Sequence, residues 1–490
     1  MITLFSKAVA FLRDVLLANY YGISSVSDAY ILATTIPIVV FTIFAASVNA
    51  NYIPAYHQVN VSFGKASSDN FTSNILNIFL VMVCFIALLM LISPSVFVYM
   101  FASGLDEPTN LMASKFLKVT SLTLVMNLVF NLVKNYLQAN DRYYHQILAT
   151  IPMNLIVAVG IFYSFRNNDS DLMVYAFLVG SFAQLLVLFP AIKNFNFRYS
   201  LSISNSKETN MFFLMSIPIV LQSFAIQINT VVDQNVASLI TSGGVSSLSY
   251  AKQIENVVYS LLISVVLMVS FSRISKAFAS SNFSLFRLLV NNSFLIMLAL
   301  TLPASFGLFF FGDYVIEVVY GRGSFDQGSV IITAGILKYA SVGIVFLALN
   351  QLFMKLFYIQ KNTKTPLYIY LFSLSLNVLL TLFFYNYTDL GLPGITFATS
   401  ISYIFNLFFL YYWYDSFYGL KFEVEHWISC LKLLFSSITM ILLTKLFCFN
   451  THYLAERPLV ILLTAVSIYC CCLFLLCRKE VKSSLDYFGS

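Results

Sequence analysis

Fourteen mostly apolar stretches, each about as long as a bilayer-crossing helix, leave this 490-residue chain few folds to choose from. They cover 2–20, 27–54, 75–101, 113–137, 145–164, 172–192, 211–239, 246–271, 289–312, 328–358, 366–386, 392–413, 427–448 and 458–477. About 20 apolar residues span the hydrocarbon core as a helix, which satisfies its own backbone where no water can. The second and tenth stretches are longer and are expected to bend or to reach past the bilayer. Charged residues make up 10% of the chain, against about 25% in a soluble domain. The expected fold is an all-α polytopic membrane protein with about fourteen transmembrane helices and no separate soluble domain. The first residues run into an apolar helix with no basic n-region or small-residue cleavage site, so no cleavable signal peptide is expected.

Lys and Arg set the orientation, because short cytoplasmic loops collect them. With the N-terminus inside, 16 basic residues fall on the cytoplasmic side, 4 outside (Lys115, Arg166, Arg322 and Arg457) and 7 within spans. Both termini are therefore expected in the cytoplasm. The net charge of +6 is spread over many loops and does not call for nucleic acid.

The chain also repeats itself. Gln138 and Gln360 lie 222 residues apart, as do Asn140 and Asn362. Val98-Tyr99 echoes Val319-Tyr320 at 221, and Asn154 and Asn377 lie 223 apart. Six spans separate the copies, and that even number gives both the same orientation: parallel repeats about an axis along the membrane normal. The expected organisation is an N-lobe of six helices over 1–200, a C-lobe of six over 205–415, and two extra helices with a C-terminal tail over 416–490. Two six-helix lobes around a cavity suit alternating-access transport. A channel, a receptor or an assembly scaffold would not need the duplication.

Charges inside the spans are the candidate functional residues. Each costs roughly 3 kcal/mol on insertion scales and so should face a wet cavity or a partner. Lys7 and Asp14 lie nearly on one face of the first helix, with Arg13 about 120° away from Lys7. Lys and Arg in a cavity can hold an anion such as phosphate. Alternatively, Arg13 pairs with Asp14 or Asp28 to fix helix packing. Asp233 sits mid-span among Gln227, Asn229, Gln234 and Asn235, an oxygen-rich setting for a small cation or a proton, or else an interhelical hydrogen-bond cluster. Lys252 opens the eighth span beside Gln253 and Glu255. It could face the cavity, pair with Glu255 or snorkel to the surface.

Enzyme chemistry has no foothold. There is no Walker A run, nucleophile elbow or His-Glu metal motif. The seven cysteines contain no C-x-x-C, and Cys470–Cys472 fan out around a helix. The four histidines are scattered, so no metal site or cofactor is expected. A transporter without an ATPase motif needs an ion gradient, the membrane potential or consumption of its product.

Residues 6–22, SKAVAFLRDVLLANYYG, resemble the first helix of the MurJ/MviN family of peptidoglycan lipid II flippases. So do Ser27-Asp28-Ala29-Tyr30 with Ile36-Pro37, the loop 137–142 (LQANDR), Tyr250-Ala251, 321–325 (GRGSF), 362–366 (NTKTP) and 391–400 (GLPGITFATS). The resemblance covers nearly the whole chain. Its superfamily also holds polysaccharide flippases and multidrug exporters.

The resemblance implies a flippase of the bacterial inner membrane that carries an undecaprenyl-pyrophosphate-linked glycan precursor outward. Lipid II is the leading substrate. A capsule, exopolysaccharide or O-antigen unit is the alternative, and a non-transporting scaffold for envelope-synthesis enzymes a third. Implied substrate-binding positions are Lys7, Arg13, Asp28, Lys252 and Gln253. Two family arginines are replaced here, one by Phe41 beside Thr42 and one by Gln253. The implied cation site, with Na+ as coupling ion, comprises Asp233, Asn377 and Thr399, while Thr381 stands where a second carboxylate is expected. The polyprenyl tail is expected to stay in lipid, through a gap between lobes or along a groove by the last two helices.

Overall fold

A computed structural model describes residues 2–142, 144–193, 197–201, 203–204, 206–419, 424–450 and 458–476. Lys421, His452, Arg457, Cys477, Arg478, Lys479 and Lys482, used above, lie outside the described residues. All the regular structure among the described residues is helical. Each of the fourteen expected spans coincides with helix, and thirteen are long and apolar enough to cross a membrane. The fourteenth is α1 (Ile2–Tyr21), whose apolar run is broken by Lys7, Arg13 and Asp14.

The other helices are α2 (Ser25–Phe63), α3 (Lys65–Ile92), α4 (Pro94–Phe101), α5 (Glu107–Ala139), α6 (Tyr144–Arg166), α7 (Asp171–Lys193) and α8 (Lys207–Ile240). They continue with α9 (Gly244–Val258), a π-helical turn (Tyr259–Ile263), α10 (Ser264–Ala279), α11 (Phe283–Tyr320), α12 (Gln327–Ile359), α13 (Lys364–Tyr387), α14 (Leu392–Tyr418), α15 (Val424–Asn450) and α16 (Pro458–Leu476). At 1.5 Å per residue the 39 residues of α2 extend roughly 58 Å, well past the hydrocarbon core. Pro37 and Pro54 inside it mark where it can bend.

The third span differs most from expectation. It begins ten residues early, at Lys65, because residues 65–74 are polar and hydropathy passes over them. It also breaks at Ser93 (φ −131°, ψ 60°), since proline at 94 disfavours the helical region for the residue before it. The polar start has a structural use. Asn74 Nδ2 donates to Ser204 O (2.5 Å) while its Oδ1 accepts from Ser204 N (2.9 Å). Asn77 Nδ2 donates to Ser200 O (2.8 Å), and Tyr199 O–H donates to Asn77 Oδ1 (2.6 Å). These amides supply partners to Tyr199, Ser200 and Ser204, whose backbone lies outside any helix.

The duplication is visible in the helix boundaries. Helices α5 and α12 each have 33 residues; their starts (Glu107, Gln327) and their ends (Ala139, Ile359) are both 220 apart. The break at Ser93 has its counterpart at Phe311, the one non-helical residue inside α11. After α5 and α12, the chain stops through a residue of positive φ, Asp141 (60°) and Lys361 (59°). In each stop an amide reaches back five residues, Arg142 N to Leu137 O and Asn362 N to Phe357 O, as in a Schellman motif.

The helices form two compact units, Met1–Ser246 with Gly323–Phe325, and Ser247–Arg322 with Asp326–Ser490. In the first, α2 packs on α5 and α8, and α6 on α1 and α7. In the second, α12 is flanked by α11 and α14, while α15 and α16 close over α11 at its break, where Phe311, Met440, Ile441, Ile461 and Tyr469 form a core. Lipid offers little hydrophobic drive between helices, so small residues and polar bonds hold them. Thr396 and Ser400 hydroxyls on α14 donate to Ile336 O (2.9 Å) and Tyr339 O (2.7 Å) on α12, and Asn350 Nδ2 on α12 donates back to Tyr403 O (2.9 Å).

Candidate functional site

Arg13 occupies the fourth turn of α1, on the face packed against α6. Its Nε and Nη2 donate to Asp14 Oδ1 (2.9 and 2.7 Å), and its Nη1 donates to Asn154 Oδ1 on α6 (3.0 Å). The side chains of Arg13 and Asp14 are 24% and 19% exposed, so the pair is neither sealed in nor free in water. Of the two acidic partners expected for Arg13, Asp14 is the one it meets. The geometry fixes the guanidinium on the first unit and leaves it partly exposed. Asn154, which the sequence marked only as a repeat position, is the third group in this arrangement. Lys7, two turns earlier, is exposed.

Asp28 lies in the first turn of α2 and is 1% exposed. Its Oδ2 accepts from Gly243 N and its Oδ1 from Ser246 N, both at 2.7 Å. Two charge-assisted bonds thus satisfy amides at the start of α9, which no residue within the helix can reach. In this structure both carboxylate oxygens of Asp28 are engaged with backbone. At the same end of the first unit, Ser324 N donates to Asn19 O (2.8 Å) and Ser324 Oγ to Tyr20 O (2.9 Å). The approach is so close that a Cβ on Gly323 (φ +59°) would lie 2.3 Å from Asn19 O, and one on Gly22 (φ +56°) 2.3 Å from Ser324 O. The resemblance motif 321–325 is therefore built for backbone contact, with no strand–turn–helix phosphate cradle around it.

Lys252 and Gln253 are half-buried on α9, about two turns ahead of the π-helical turn at Tyr259–Ile263. Phe41 and Thr42 are half-buried on α2, and the Thr42 hydroxyl turns back onto Ile38 O (2.7 Å).

Of the implied cation ligands, the structure brings together Asn377 and Thr399, whose Nδ2 and Oγ1 are 3.0 Å apart between α13 and α14. Asn377 Oδ1 and, one turn on, Thr381 Oγ1 are buried and make no hydrogen bond. Buried oxygens normally find a donor. Acceptor oxygens left open within one helical turn fit a hard cation such as Na+. Asp233 is buried on α8 in the first unit. Among the described residues, no cluster of His, Cys, Asp and Glu could hold a metal ion.

Comparison with known proteins gives these positions a context. The chain is 27% identical over 409 residues to a probable lipid II flippase MurJ of Thermotoga maritima, covering 83% of this chain and 82% of that one. It is 27% identical over 411 residues to the lipid II flippase MurJ of Thermosipho africanus, with the same coverage. A solved lipid II flippase MurJ in an inward closed conformation superposes with a TM-score of 0.84 at 25% identity, over 98% of both chains. A multidrug-resistance MATE transporter in its inward-facing conformation shares the fold, with a TM-score of 0.70 at 17% identity over 87% of this chain and 95% of that one. The family model for the lipid II flippase MurJ matches residues 17–466, nearly the full length, and the chain belongs to that family.

Proposed function

We propose that this protein moves lipid II from the inner to the outer leaflet of the bacterial inner membrane by alternating access. The observation that supports this most directly is the likeness of the whole chain to a solved lipid II flippase, 98% of each covered. Arg13 has the chemistry for the diphosphate. Its planar fork is pre-positioned by Asp14 and Asn154, so less side-chain freedom is lost when an anion binds. Lys7, exposed on another face of α1, adds a second cation, and Lys252 and Gln253, half-buried on α9, are further polar candidates for the headgroup. The polyprenyl tail stays in lipid throughout. Both termini face the cytoplasm on the Lys and Arg count.

Na+ is the proposed coupling ion. Asn377, Thr381 and Thr399 offer it oxygens within the second unit. Asp233 on α8 is a separate carboxylate whose charge state would bias the transport cycle. Such a bias requires unequal ion affinity in the two states. Replacing Asp233 by Ala should remove any dependence of flipping on Na+; unchanged dependence would refute the coupling role.

The test of the main reading is complementation. The chain is expressed in a bacterium depleted of its own lipid II flippase, and survival is followed together with lipid II exposure at the outer leaflet. Rescue is expected. Failure by a well-expressed, membrane-inserted protein would shift the substrate to another glycan on the same carrier and make Phe41 and Gln253 the positions to restore to arginine.

A further inference from the structure

An apolar cavity lies in the second unit, on the side of α11 that α12 and α15 flank. There Leu302, Phe306, Phe309, Val342, Phe346 and Leu434 surround an apolar cavity of about 400 Å³. Its one polar residue, Ser305, already donates its hydroxyl to Ser341 O (2.7 Å), so the lining offers nothing to a sugar. Two cations stand at one end. Lys338 Nζ lies 4.9 Å from the centroid of the Phe309 ring, and Lys445 Nζ lies 4.6 Å from that of Phe310, with the two ring centroids 5.0 Å apart. Both lysines are exposed, and neither is in an ion pair among the described residues.

The placement has a direction. Lys338 is eleven residues into α12, and Lys445 five residues from the end of α15. The cavity then runs away from them, past Val342, Val345 and Phe346 on α12 and back to Leu302 on α11. At 1.5 Å per residue the backbone of Lys445 and Lys338 sits roughly 8 and 17 Å from the helix ends, and the apolar lining leads from there toward the middle of the membrane. Cations near the interface above an apolar slot match a phospholipid standing in its own leaflet. An ammonium with only an aromatic ring for company at that depth still lacks a counter-ion.

We propose that this is a binding site for an anionic glycerophospholipid, its phosphate between Lys338 and Lys445 and one acyl chain in the cavity. On the orientation given above, the lipid belongs to the outer leaflet. Lysine suits this ligand, since a point charge on a flexible stem follows a mobile phosphate, whereas the planar arginine fork suits a fixed one.

The test uses the full-length protein in detergent, with phosphatidylglycerol, phosphatidylcholine or undecaprenyl diphosphate added separately and bound lipid counted by native mass spectrometry. Phosphatidylglycerol should be retained at least tenfold better than phosphatidylcholine. The double variant K338Q/K445Q should lose that preference, and K338R/K445R should keep most of it. Should K338Q/K445Q fold poorly, V342W, which fills the slot and leaves both charges, must also abolish the preference. Equal retention of the two phospholipids by the unaltered protein, or a preference that survives K338Q/K445Q, would overturn the proposal. Displacement of phosphatidylglycerol by equimolar undecaprenyl diphosphate would also overturn it, by assigning the slot to the carrier of the substrate. None of these outcomes depends on whether the protein flips lipid II.

Discussion

Replacing Asp28 by alanine should open the start of α9, and the size of the effect follows from what its carboxylate holds. Oδ1 and Oδ2 each accept one backbone N–H at 2.7 Å, from Ser246 and Gly243, in surroundings that leave Asp28 1% exposed. Alanine would orphan both amides. A buried donor without a partner costs about 1–3 kcal/mol, and loss of a helix cap alone about 1. Taking the low end, because a helix start can recruit water, the local cost is about 2–4 kcal/mol. That is roughly a 30- to 700-fold rise in the population of the opened segment. Asparagine keeps one good acceptor and loses the charge, so Asp28→Asn should cost about half as much. Hydrogen exchange of the purified protein resolves this, since the amides of Gly243 and Ser246 should exchange faster by those factors while the middle of α12 is unchanged. Exchange at these amides indistinguishable from the unaltered protein in both variants would refute the reasoning and return Asp28 to the list of groups available to substrate.

Two further outcomes follow from the same geometry. Arg13→Ala should lower lipid II exposure at the outer leaflet by roughly 10- to 100-fold, the worth of one charge-assisted contact of about 1.5–3 kcal/mol, while Asn154→Ala, which removes one of the bonds holding Arg13, should cost a smaller factor of about five at equal protein level. Gly323→Ala would force a positive φ on alanine and drive its Cβ to within 2.3 Å of Asn19 O, so the thermal midpoint in detergent should fall, whereas Gly307→Ala, inside α11 with open space around it, should leave the midpoint in place or raise it slightly.

Most of the fold was legible because a membrane makes it so. Hydropathy alone found every span, since no other regular structure spares the backbone in lipid. It failed where a helix left the hydrocarbon. The polar start of α3 carries Asn74 and Asn77, which look like loop residues until their amides are seen holding Tyr199, Ser200 and Ser204. The repeat was legible from scattered matches, but its period was blurred. Side-chain identities gave 221 to 223, while helix boundaries give 220 at α5 and α12. Mutation erodes single residues faster than helix lengths and break points, so the pair Ser93 and Phe311 preserves the duplication in backbone where no letter does.

The site was legible in part, and the reason for the limit is physical. A charge inside an apolar run announces that it needs company, but not which company. Arg13 could have met Asp14, Asp28 or the substrate, and only packing of α1 on α6 brings in Asn154. Asp28 looked equally available, yet its partners lie 215 and 218 residues away along the chain, beyond any periodicity argument. Lys338 and Lys445 were lost among the basic residues counted within spans, because nothing in the letters shows that the rings beneath them, Phe309 and Phe310, are neighbours on α11 facing α12 and α15. Sequence thus locates the energetic problem each buried charge poses, and the fold decides how it is solved. For Asp28 the solution is internal and complete. For Arg13 it holds the group in place and leaves it partly exposed, as the anion-binding role proposed above would require.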